Sequence, residues 1–224
     1  MSLATIKALL DDKIRTTMLG RELADPRTLE RAIEQAVLAY SLAKPLHDSD
    51  DLAGVNGGVI DLPTDWDAAF STLLAVEYPI GVVPMATLEA AVARDETGTW
   101  HVLLAEDSLT DATVRVHFTR PHVLTNAAST IPAAHCNAVA CWAAAELCRQ
   151  LATAKGAERD STMAAAVTSG QSMSGDLARR ARDWMIQYRA ELGLADPETS
   201  PAALPAGTVV AFERSRQRAR FTSL

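Results

Sequence analysis

The sequence predicts an α+β protein, mainly α: a helical bundle with an inserted small antiparallel β-element and an extended C-terminal arm. Three observations predict it. Apolar residues recur at three- and four-residue spacing near both ends of the body, alternate in its middle, and give way to proline and arginine after Asp196. The body is set at residues 1–195, with helices in 1–45 and 130–193 and the β-rich insertion at about 58–120. The arm is residues 196–224.

Composition bounds the function. A chain of 224 residues, 48% hydrophobic and 22% charged, can bury a core of its own. A net charge of −7 argues against a surface that grips nucleic acid, which needs clustered Lys and Arg. Cys136, Cys141 and Cys148 all fall on one helix, at spacings of five and seven that suit no zinc pattern. Free, buried thiols in a reducing compartment are expected. No secretion leader and no membrane span is expected, so the protein is predicted to fold in a cytoplasm.

The helices come first. Ser2 can cap a helix running toward Leu19, with Leu3, Ile6, Leu9 and Leu10 on one face. Asp25-Pro26, a cap followed by a first-turn proline, opens a second helix that Pro45 ends. Its buried stripe is Leu29, Ile33, Ala36, Val37 and Tyr40.

Residues 47–58 read as a polar loop. Asp48, Asp50 and Asp51 invite a calcium reading, but the order of an EF-hand loop is missing, with Val59 in place of the closing glutamate. Strands are expected over 58–63, 70–78, 99–105 and 112–120. In the last, Val114, Val116 and Phe118 alternate with Arg115, His117 and Thr119, so one face is buried and one is wet. The turn-rich sequence EDSLTD predicts that the last two strands form an antiparallel hairpin. Residues 87–94 suit helix and strand equally.

The centre of the chain is the alanine-rich helix at 131–155, with Thr130 as a cap, Pro132 in the first turn and Gly156 as a stop. From Ala138 to Ala145 it is apolar or small nearly all round. Two readings follow: the core helix of one domain, or a helix walled in by neighbouring subunits. A short helix behind Asp160, a Ser/Gly loop at 168–175 and a last helix at 176–192 complete the body. The last helix has its stripe on Leu177, Ala181, Trp184, Tyr188 and Leu192, and Gly193 stops it.

Catalytic motifs are missing from the sequence. None of the five histidines stands in a zinc-protease or deaminase pattern. His117, His122 and His135 are the three that could meet, and they define the alternative of a metal-assisted hydrolase. The segment around Ser172 lacks both the preceding strand and the following glycine of a nucleophile elbow. No catalytic residue, cofactor site or metal ligand is assigned, and no enzyme activity is expected.

The arm carries apolar Val209, Val210 and Phe212, then Arg214, Arg216, Arg218 and Arg220 at every second position. The arginines suit a solvated tail, a dock on an acidic partner, or a contact with nucleic acid. The apolar residues before them suit a strand added to a neighbour's edge.

Several stretches resemble the head-to-tail connector (adaptor) proteins of tailed bacteriophages. They are EQAVLAYSLAKP, VIDLPTDWDAAF, VEYPIG, VRVHFTRPHVL, TIPAAHCNAVACWAAAELCRQLA and RARDWMIQYRAELG, spanning roughly residues 3–195. The resemblance implies a structural virion protein of the neck that forms a homo-oligomeric ring, commonly of twelve copies. Its partners would be the portal protein, reached by the C-terminal arm, and a downstream neck or tail protein, with no membrane and no cofactor. Packaged DNA would pass through the lumen unbound, and the acidic net charge suits such a wall. The insertion is larger than in the simplest members, so a stopper or tail-terminus position is the alternative within the class.

Overall fold

Proline's fixed φ suits a first helical turn, and Pro26 opens α2 (Pro26–Ala43) in the computed structural model. The structure describes residues 2–15, 26–53, 57–105, 112–157 and 167–194. The other helices among these are α1 (Leu3–Arg15), α3 (Cys136–Ala157) and α4 (Val167–Leu192). Helix α1 buries Ile6, Leu10 and Ile14, each one turn after the last, and α2 buries Ile33, Ala36, Val37 and Tyr40.

Both stripes, together with Leu177, Ala181 and Tyr188 of α4, pack around α3. Between Ala138 and Ala145 only Trp142 escapes full burial. The all-round apolar character of α3 is thus met by helices of its own chain, and its alanines let those helices approach closely. Cys136, Cys141 and Cys148 are free and buried, and burial pushes the Cys141 thiol up to about 11. At the end of α4, Gly193 takes a φ of 65° and the Leu194 amide donates to the Arg189 carbonyl at 2.9 Å. This left-handed closure stops the helix where the sequence places the stop.

Three local expectations for the helices are corrected. Residues 168–175 are not a loop, because α4 starts at Val167. Serine and glycine are weak helix formers, but this turn is tied to α3 by the Ser174 hydroxyl, which donates to the Ala152 carbonyl at 3.2 Å. Gly156 lies inside α3 instead of ending it. Thr130 does not cap: its hydroxyl accepts the Val123 amide, and a 3-10 turn over Ala133–His135 leads into α3. The short helix expected behind Asp160 lies outside the described residues, as does the arm.

The fold class needs a larger correction. Among the described residues 47% are helical and 24% are strand, in two antiparallel sheets, so the protein is α+β with substantial sheet and not a mainly helical bundle with a small β-element. One sheet has the order β1-β7-β3-β4 and the other β2-β6-β5. Their strands are β1 (Leu46–Ala53), β2 (Val59–Asp61), β3 (Leu73–Glu77), β4 (Thr87–Leu88), β5 (Ala90–Arg94), β6 (Trp100–Leu104) and β7 (Thr113–Arg120). Ile60, Val76, Val102, Val114, Val116 and Phe118 form a second core between the sheets, separate from the helical one.

The β module begins at Leu46, not at residue 58. The expected polar loop is strand β1, paired along its length with β7 from Leu46↔Arg120 to Ala53↔Thr113. Aspartates disfavour strands, but here two of them face cations from β7. Arg115 donates to Asp51 at 2.6 and 2.8 Å, and Arg120 lies 2.7 Å from Asp48 while also pairing with Asp65.

The expected hairpin of β6 with β7 does not form, since the two strands belong to different sheets. β6 instead pairs with β5 across a turn at 95–99. In that turn Gly98 takes a φ of 89°, and the Asp95 amide donates to the Thr99 carbonyl at 2.9 Å. The Thr97 hydroxyl and the Thr99 amide donate to the Asp95 carboxylate, and these bonds hold it down to about 2. The ambiguous residues 87–94 are strand throughout except at Glu89, and this one stretch passes from the first sheet (β4) to the second (β5).

Candidate interaction site on the β module

Strand β3 ends in Glu77, and the chain then makes a loop of Tyr78, Pro79, Ile80, Gly81, Val82, Val83, Pro84 and Met85 before β4. A segment so apolar would ordinarily fold inward. Instead Val83 is 94% exposed, Met85 50% and Val82 45%. The loop is nevertheless fixed at its base. The Gly81 amide donates to Glu77 Oε1 at 2.7 Å, and the Tyr78 amide donates to the Ala86 carbonyl at 3.1 Å.

Glu77 is a buried carboxylate, which is costly unless its oxygens are bonded. Its second oxygen faces His117 Nε2 at 3.3 Å, and Arg115 Nη1 stands 4.0 Å away. The Gly81 amide foremost, then His117 and Arg115, hold the carboxyl below the usual carboxylate range, while burial pushes the other way. Arg115 itself forks onto Asp51. The wet face of β7 therefore connects β1, β3 and the loop through one chain of charges. Chemically this arrangement presents an apolar knob on a polar base, which is the anatomy of a contact surface.

The histidines of the hydrolase alternative do not converge. His117 belongs to the Glu77 cluster. His122 and His135 instead flank Tyr40, with ring centroids at 4.8 and 5.6 Å, and the Tyr40 hydroxyl lies 2.7 Å from His135 Nδ1. No three His, Cys, Asp or Glu side chains among the described residues are placed to hold a metal ion.

His122 ties the segment after β7 to the end of α2. Its amide donates to the Ser41 hydroxyl at 2.9 Å, and Nε2 donates to the Lys44 carbonyl at 3.1 Å. That leaves Nδ1 to accept from the Thr130 hydroxyl at 3.1 Å, which assigns the neutral tautomer from its partners. Burial disfavours the charged ring and pushes its pKa below the ordinary histidine value.

Val209, Val210, Phe212, Arg214, Arg216, Arg218 and Arg220 lie outside the described residues. The knob and its glutamate are absent from the sequence-based assignment, although a signal existed. PIGVVPM is an uncharged apolar run that contains two prolines and begins one residue after the pair Val76-Glu77. Comparison with family models and with curated proteins returns no match for this chain. No helix among the described residues is long and apolar enough to cross a membrane.

Proposed function

We propose that this chain is a structural subunit of a tailed-bacteriophage neck, a ring-forming connector that joins the portal to the tail, and not an enzyme. The observation that carries the proposal is the exposed apolar loop fixed by Glu77, since an uncovered apolar patch on a braced base suits a subunit that is covered on assembly. Leu38 and Leu42, one turn apart on α2 and 54% and 69% exposed, add a second apolar strip for a neighbour. The stretches that carry the resemblance fall on α2, β2, β3 with its loop, β7, α3 and α4, and so belong to both cores.

In this proposal the ring holds about twelve copies in the virion neck and encloses packaged DNA without binding it. The arm reaches the portal, with Arg214, Arg216, Arg218 and Arg220 facing carboxylates there. A downstream neck or tail protein covers the opposite side. The motive for the ring is now the exposed loop and strip, because the apolar α3 is covered within the chain.

The test is mass measurement of the full chain with and without portal protein, on wild type and Val83→Asp. A multi-copy complex for wild type and none for Val83→Asp is the expected result. A chain that stays monomeric with portal present would overturn the proposal.

A further inference from the structure

Strands β3 and β5 lie next to each other but are not paired along their length. β4 covers β3 only at Val76 and Glu77, and β5 is the edge of its sheet. Beyond that short bridge the two strands bound a groove of about 500 Å³. Its lining has an unusual order: residues 71–76 and 90–92 contribute without a gap. The face of a regular strand offers only every second residue, so the unbroken run on β5 means that a backbone edge bounds the groove there, and on the other side stands β3 with a bulge between Leu73 and Ala75. Leu74 and Trp100, 48% and 39% exposed, stand over it. The groove is thus the place of one missing strand between the two sheets. Filling it would give a continuous order from β1 through β7 and β3 to β5, β6 and β2.

We infer that this slot is completed by residues 208–212 of this chain, Thr-Val-Val-Ala-Phe, adding as a strand between β3 and β5. Four observations select that occupant. The segment is β-branched and aromatic, lacks proline and charge, and has about the length of β3 and β5. It lies outside the described residues at the end of the chain. Thirteen residues separate it from Leu194, a tether that spans up to about 45 Å when extended. Charge agrees as well. Asp67 and Glu89 are exposed beside lining residues, and the segment runs on through Glu213 into Arg214, Arg216, Arg218 and Arg220.

The physical reason is the open edges. Backbone N–H and C=O groups along an uncovered strand template another strand, and proteins with such edges normally cover them. An added strand would pair on both sides while placing alternate side chains against the β core. The four arginines would then emerge from the end of the slot. The inference does not depend on the portal, and failure of portal binding leaves it standing.

The test is amide hydrogen exchange on the full chain, wild type against Val210→Pro, from micromolar to near-millimolar protein. Proline removes a ladder donor in the arm and leaves the body untouched. Amides facing the slot within 73–75 and 90–92 should exchange at least tenfold more slowly in wild type, while those of α3 stay the same. Protection at every concentration means that the chain fills its own slot. Protection only at high concentration means that a second copy fills it. Both outcomes support the assignment. Equal rates in the two proteins throughout the range would overturn it and leave the slot to a strand of another protein.

Discussion

Arg115 and Asp51 stand directly opposite each other on β7 and β1, and the guanidinium forks onto the carboxylate at 2.6 and 2.8 Å. This fork is what lets an aspartate-rich stretch lie in a sheet, since opposite charges on facing positions stabilise a strand pair. Asp51→Ala should therefore loosen β1 selectively. Exchange of β1 amides should rise a few-fold while α3 is unchanged. A uniform change across both cores would contradict this local role.

Val83→Asp should leave the fold intact, because the side chain is 94% exposed. Surface changes of this kind stay within about 0.5 kcal/mol. The melting temperature should match that of wild type while ring assembly with the portal is lost. Normal particle completion by the variant would show that the knob is not a contact.

Leu147 and Leu177 are buried in the helical core. Leu147→Ala should cost about 2–5 kcal/mol by opening a cavity. Leu147→Asp and Leu177→Asp each bury an unpaired charge and should prevent folding, given total stabilities of about 5–15 kcal/mol. Native circular dichroism and an unchanged melting point in both aspartate variants would refute the packing described here.

Glu77 supplies a pH dependence with a definite sign. Its folded carboxyl lies below the ordinary value of 4.5, so its contribution is complete above that pH. It is lost as pH falls through the lowered folded value. The Gly81 amide resonance should move with a midpoint below 4.5. Glu77→Gln should abolish that movement, whereas a midpoint at or above the ordinary value would show that the bond does not favour the charged form.

His122 acts at higher pH. Its folded value is lowered from 6.5, so below that pH the unfolded chain binds a proton that the folded one refuses. Stability should be complete above the unfolded value and should fall on acidification, by at most about 1.4 kcal/mol per pH unit. Denaturant titrations between pH 7 and 5 should show the slope in wild type and a weaker one in His122→Gln.

The helices were legible in the sequence because each carries its own evidence. Pro26 and Gly193 mark helix ends, and the stripes Ile33–Val37–Tyr40 and Leu177–Ala181–Tyr188 mark buried faces. What failed depends on partners distant in the chain. Asp48 and Asp51 read as loop residues until Arg120 and Arg115 stand beside them. The pairing of β6 with β5, not with β7, is a choice between two turns of similar composition, and local pattern cannot make it. Ser174 reads as a loop residue until the Ala152 carbonyl is next to it. The Glu77 cluster was hidden for the same reason: its parts come from positions 51, 77, 81, 115 and 117.

The passage of one stretch of chain from β4 into β5 has a mechanical consequence. The knob hangs from β3 on one side and from this stretch on the other. A pull on the knob along the strands loads β3 against β7 and β5 against β6 together. Antiparallel hydrogen bonds run across the strands, so such a load shears many of them at once instead of unzipping them singly. A tether built this way divides its tension between two sheets, and neither can yield before the other takes strain.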